Sequence, residues 1–179
     1  MKRFFLASSF AIACAAAPAQ AQMAFDMSRV TCADYTAMSP AASRSFSAWM
    51  SGWFNQRSGS TVVNLDGYRR NVASVQRWCR SNPRQPVMTG LSTAVSRARP
   101  GRPGPASIDV SQVSCGQLLG APAAMQDLVV PWMSGWFMST KNLTNVEIRY
   151  VDQNSRVIRN FCKSNRNVSL MQAFEQNWR

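Results

Sequence analysis

The stretch Trp49-Met-Ser-Gly-Trp-Phe54 recurs letter for letter as Trp132-Met-Ser-Gly-Trp-Phe137, 83 residues further on. Six consecutive identities that include two tryptophans do not arise by chance in a chain of 179 residues. At the same offset, and without a gap, Asn71 meets Asn154, Ser81-Asn82 meets Ser164-Asn165, and Met88 meets Met171. Cys32 and Cys79, 47 residues apart, meet Cys115 and Cys162, which are also 47 apart. The chain therefore reads as two copies of one unit, residues 27–96 and 109–179. Residues 97–108 lie between them as a linker, because the run Arg97-Ala-Arg-Pro-Gly-Arg-Pro-Gly-Pro opposes both helix and strand.

Ahead of the first copy, Lys2 and Arg3, the apolar Phe4 to Ala13 and the small-x-small Ala19-Gln20-Ala21 predict a signal peptide over 1–21. Its removal would take Cys14 with it and leave four cysteines, an even count that in an exported chain implies disulfides. Four cysteines allow three pairings, and the repeat selects Cys32 with Cys79 and Cys115 with Cys162. Units this short are poor in core, and closing a loop of this length stabilises by about 4 kcal/mol.

Both copies read as helical, which predicts an all-α fold of two tandem bundles of about four helices, each with one internal disulfide. Thr31-Cys-Ala-Asp34 and Ser114-Cys-Gly-Gln117 are capping boxes that start a first helix with the cysteine in its opening turn. In the second helix Phe46, Trp49, Met50, Trp53 and Phe54 recur at helical spacing, as do Val129, Trp132, Met133, Trp136 and Phe137, predicting an amphipathic, aromatic stripe. Gly52 and Gly135 inside it suggest close approach of another helix. A third helix carries Leu65, Tyr68, Val72, Val75 and Cys79 on one face, matched by Ile148, Val151, Ser155, Ile158 and Cys162. It ends near Asn82-Pro83. A short fourth helix places Met88, Leu91 and Val95 opposite Met171, Phe174 and Trp178.

Composition excludes much chemistry. With no histidine there is no Ser-His-Asp triad, no Cys-His pair and no histidine-ligated zinc. No paired carboxylates form a recognisable site, and Asp66, Asp109, Asp152 and Glu175 read as lacking counterparts in the other copy. The expectation is a protein that is not an enzyme and needs no cofactor or metal. No apolar run approaches the roughly 20 residues of a membrane span. Without Lys2 and Arg3, eighteen cations face eight acids, a charge of +10. No nucleic-acid-binding motif accompanies that surplus, so it reads first as a solvated face, with an anionic lipid surface or acidic partner as the other option.

The ordered combination of a capped cysteine, a W-x-x-G-aromatic helix, a second cysteine 47 residues after the first and a following Ser-Asn-Pro, Ser81-Asn82-Pro83, resembles the HdeA/HdeB family, once over Val30–Leu91 and again over Val113–Phe174. The resemblance implies a periplasmic acid-stress chaperone that loosens at low pH and exposes apolar helix surface to acid-unfolded periplasmic proteins. Family members are usually dimers. A tandem chain would either mimic that dimer within itself or form two beads that dimerise with other chains. An immunity protein of the Rap/Tai type, binding a secreted toxin, or a structural periplasmic binding module is the alternative reading. The tryptophan stripes read first as core, and as client-binding surface once acid opens that core. Asp34 titrates whereas its counterpart Gln117 does not, so the first copy is expected to loosen first.

Overall fold

The computed structural model describes residues 24–97 and 106–178; the expected signal peptide and most of the expected linker lie outside them. The first half runs β1 (Ala24–Asp26), α1 (Cys32–Ala37), α2 (Pro40–Arg57), β2 (Val62–Asn64), α3 (Leu65–Ser81) and α4 (Val87–Arg97). The second repeats the order with β3 (Ser107–Asp109), a 3-10 turn at Val110–Gln112, α5 (Cys115–Gly120), α6 (Ala123–Thr140), β4 (Asn145–Glu147), α7 (Ile148–Ser164) and α8 (Leu170–Asn177). Each half has four helices and one disulfide, Cys32–Cys79 in the first and Cys115–Cys162 in the second.

The helices begin where their side chains can satisfy the first free amides. Asp34 N donates to Thr31 Oγ1 at 3.2 Å while Thr31 N donates to Asp34 Oδ2 at 3.0 Å, a complete capping box on α1. Ser114 and Gln117 repeat it on α5, at 3.2 and 2.7 Å. Ser39 caps α2 with Pro40 at its first position, and Asn64 caps α3 by accepting from Gly67 N at 2.7 Å. Each disulfide ties the opening turn of the first helix to the last turns of the third, with Cα atoms 4.8 Å apart in both.

The two halves are not separate beads. Helix α2 packs along α6, and each half lends a strand to the other: β1 pairs antiparallel with β4, and β2 with β3. The backbone contacts obey the repeat, Met27 N donating to Thr144 O at 2.8 Å and Val110 N to Thr61 O at 3.0 Å. Accordingly the hydrophobic cores are shared. Met138 of the second half belongs to the core around Trp49 and Trp53, and Ala48 and Val63 of the first belong to the core around Trp132 and Met133.

This corrects the amphipathic reading of the second helix. Phe46 to Met50, Gly52 and Trp53 are all buried, and in α6 burial is continuous from Val129 to Gly135. A helix covered on one side by its own half and on the other by its twin needs no solvated face. Pro131, at the position of Ala48, lies buried inside α6 without ending it. The packing of the crossing outweighs the roughly 3 kcal/mol that an interior proline costs a helix. The face expected on the third helix is deepest at Val75, Cys79, Ile158 and Cys162, whereas Leu65, Tyr68 and Val72 are half-buried; the side chains of Val95, Ile148 and Val151 lie outside those described.

Candidate functional site

Helices α2 and α6 cross at Gly52 and Gly135. A Cβ on Gly52 would fall far inside contact distance of the Trp132 carbonyl oxygen and 3.0 Å from Trp136 N; one on Gly135 would meet the Trp49 carbonyl and lie 3.1 Å from Trp49 Cα. Only glycine lets the two backbones touch, and each glycine rests on the first tryptophan of the other copy's hexapeptide.

That contact places the expected aromatic residues. Phe46, Trp49, Met50 and Trp53 are buried, as are Val129, Trp132 and Met133; Phe54, Trp136 and Phe137 are half-buried at the edge. Several reach across the seam: Trp49 Nε1 donates to Met138 Sδ at 3.4 Å, Trp136 Nε1 to Ser60 O at 3.2 Å, and Ser139 Oγ to Gln56 Oε1 at 2.8 Å. Trp53 Nε1 and Trp132 Nε1 are buried with no acceptor. A buried donor left so costs about 1–3 kcal/mol, a cost that water relieves if the seam opens.

Carboxylates tie the rim of the same seam. Asp109 Oδ1 accepts from Ser111 Oγ at 2.7 Å, Ser111 N at 3.0 Å and, across the halves, Thr61 Oγ1 at 2.8 Å. Asp26 accepts from Ser28 Oγ at 2.6 Å and Ser28 N at 3.0 Å, is hydrogen-bonded by Thr144 of the other half, and meets Arg29 Nε at 3.2 Å. Asp26, Ser28 and Thr144 correspond one for one to Asp109, Ser111 and Thr61 at the 83-residue offset. Asp109 therefore has a counterpart, contrary to the sequence reading, which began the first copy at residue 27 and so left Asp26 outside it. The recurring Asp-x-Ser was the signal that could have found the pair.

Hydrogen bonding holds these acids below the usual carboxylate range. The Ser28 hydroxyl contributes most at Asp26, with Ser28 N–H, Thr144 and Arg29 adding to it against partial desolvation. The Ser111 hydroxyl contributes most at Asp109, then Thr61. The Thr31 hydroxyl and amide do the same for the exposed Asp34. Beside the seam, a groove of about 900 Å³ is floored by Leu65, Tyr68 and Val72 of one half and Met125 and Leu128 of the other. Burial, with a smaller effect of Tyr35, pushes the Tyr68 phenol up to about 12, so it stays protonated.

The repeated, cystine-tied sequence matches one known family twice. The HdeA/HdeB family profile fits residues 1–89 and again 86–172. The chain belongs to the HdeA/HdeB family. The two matches end one repeat length apart, at Thr89 in α4 and Gln172 in α8. No curated protein and no solved structure matches the chain. The HdeA/HdeB family is known for periplasmic acid-stress chaperones, which are not enzymes. Among the described residues no helix is long and apolar enough to cross a membrane, and no three His, Cys, Asp or Glu side chains gather where a metal could sit.

Proposed function

We propose that this protein is a periplasmic acid-stress chaperone whose two HdeA-like units form the closed pair within one chain. Acid parts them, and the uncovered stripe around Trp49, Trp53, Trp132 and Trp136 binds unfolded proteins. The reading rests above all on one observation: the aromatic surface with the properties of a client site is buried between the halves, behind cross-half ties made by carboxylates.

The physics of release follows. Protonation removes the anionic acceptor that Ser28, Ser111, Thr61 and Thr144 address, weakening charge-assisted bonds that are about twice as strong as neutral ones. The charge of the chain without its expected leader then rises from +10 toward +18, and both halves repel. The cystines keep each half from unravelling, so the seam opens before the units do. Met50 and Met133, polarizable and adaptable, suit contact with varied clients.

A light-scattering assay of an acid-sensitive client, run at neutral pH and near pH 3, tests this. Suppression of aggregation only in acid, together with a rise in exposed apolar surface, is the expected result. A chain that stays closed in acid and leaves the client to aggregate would instead fit an immunity protein and reject the proposal.

A further inference from the structure

The cation surplus gathers on the third helix of each half. Helix α3 carries Arg69, Arg70, Arg77 and Arg80, all exposed, with Arg84 exposed just beyond its end. At 100° per residue the four helical arginines fall within an arc of about 100°, on the side turned away from the buried Val75 and Cys79. The one acid on this helix, Asp66, meets Arg69 Nη1 at 3.4 Å; Arg77 reaches only Ser74. Helix α7 also carries four cations, Arg149, Arg156, Arg159 and Lys163, but it counts two acids against them, its own Asp152 and Asp127, which meets Arg159 at 3.7 Å. Arg70 and Arg77 stand where α7 has Gln153 and Asn160, so those two charges are particular to α3, whereas Arg80 is matched by Lys163.

We infer that the exposed arginine row of α3 seats the protein on an anionic lipid headgroup surface. The form of the row points to a flat partner. Arg70, Arg77 and Arg80 are not among the residues lining the groove of Leu65, Tyr68 and Val72; they stand on one exposed helix face. Arg70 and Arg77 lie about 10 Å apart along a straight helix, a spacing that meets several separate phosphates. No aromatic ring stands free among them to stack a base: Trp78 is partly buried, with its ring against Gly90 of α4. Large exposed apolar side chains are limited, among the described residues, to Leu143 and Val157, neither on α3. Contact is therefore electrostatic and peripheral, without insertion, and salt must dissolve it.

The test is co-sedimentation of the full chain at neutral pH with vesicles of phosphatidylglycerol and phosphatidylcholine, or of phosphatidylcholine alone. Binding to the anionic vesicles only, abolished at about 0.5 M salt where screening is nearly complete, is expected. Arg70→Gln/Arg77→Gln/Arg80→Gln should weaken it by about fivefold per cation, on the order of a hundredfold in all. Arg156→Gln/Lys163→Gln/Arg166→Gln, which removes the same charge from α7 and its end, should leave most of it. Circular dichroism and melting matched to the parent chain certify that both variants fold. Equal loss in the two variants, binding to phosphatidylcholine alone, or binding to a soluble polyphosphate but not to vesicles would overturn the inference. It is independent of chaperone activity, which the client assay reads separately.

Discussion

Gly52 rests against the carbonyl oxygen of Trp132, and its counterpart Gly135 rests against that of Trp49. The contact is backbone on backbone, so no side-chain rotation can make room for a methyl group. Gly52→Ala gains about 1 kcal/mol of helix propensity but forces α2 from α6, an overpacking that costs about 1–3 kcal/mol or more. The expected outcome is a chain whose halves part at a higher pH than the parent, with tryptophan emission shifted to the red at neutral pH. An unchanged urea midpoint would show that the crossing tolerates a spacer.

Asp26 and Asp109 supply a second, titratable hold on the same seam. Their pKa values lie below the usual 3.8 in the closed protein, so the closed form binds fewer protons than the open one in mildly acidic solution. The stabilisation is complete above the ordinary carboxylate value and is lost as pH falls through the lowered folded value. Asp26→Asn/Asp109→Asn should therefore open more readily at neutral pH and show a flatter dependence of stability on pH between about 2 and 5, the window over which such a carboxylate titrates. Equilibrium denaturation across that range measures it; a slope equal to the parent's would place the acid sensor elsewhere.

Asp34 offers a contrast inside one molecule. It closes the capping box of α1 as a carboxylate, while Gln117 closes that of α5 as an amide that does not titrate. Asp34's pKa is also lowered, so its contribution disappears in acid with the same sign. On acidification, protection of the Asp34 and Tyr35 amides relative to their intrinsic exchange rates should fall before that of Gln117 and Leu118, and Asp34→Gln should make the two helices alike. Simultaneous opening in the parent chain would refute the asymmetry.

Much of this was legible before any coordinates. The identical spacing of the cysteines carried the pairing, and the two capping boxes fixed where α1 and α5 start. The Trp49 and Trp132 stripes were recognised, but not that both faces of their helices are covered, since Ala48 looks like a solvent residue until it joins the core of the other half, and Ser47 until Tyr35 of its own half meets it. The exchanged strands were invisible: three residues are too few to show a period of two, and the partners of β1 and β3 lie in the other copy. The cross-half bonds of Asp26 and Asp109 escaped for the same reason, because Thr144 and Thr61 are remote in the chain, although the local Asp-x-Ser repeat was there to be read.

Each cystine should matter more to its own half than to the seam. Cys32–Cys79 closes a loop of 47 residues, and its removal by Cys79→Ser should cost about 4 kcal/mol by loop entropy. For a unit of this size that is comparable to the whole stability. The first half should then melt well below the second, visible as two transitions in calorimetry where the parent shows one. A single transition at the parent's temperature would mean that the exchanged strands and the shared core hold the reduced half in place.

Joining the halves in one chain changes how acid acts on them. Two separate subunits dissociate more readily on dilution, whereas tethered ones face each other at a fixed effective concentration, of millimolar order for a short flexible link. The opening pH of the intact chain should therefore be independent of protein concentration. A protease site placed between Arg99 and Gly104 and cut at neutral pH should leave the halves associated through α2, α6 and the exchanged strands. Their transition should then move to higher pH with each dilution. Sedimentation of cut and uncut protein over a range of concentrations reads this directly. A cut protein that falls apart at neutral pH would show that the tether, not the glycine crossing and the carboxylates, holds the pair; one whose transition ignores dilution would show that the halves never separate.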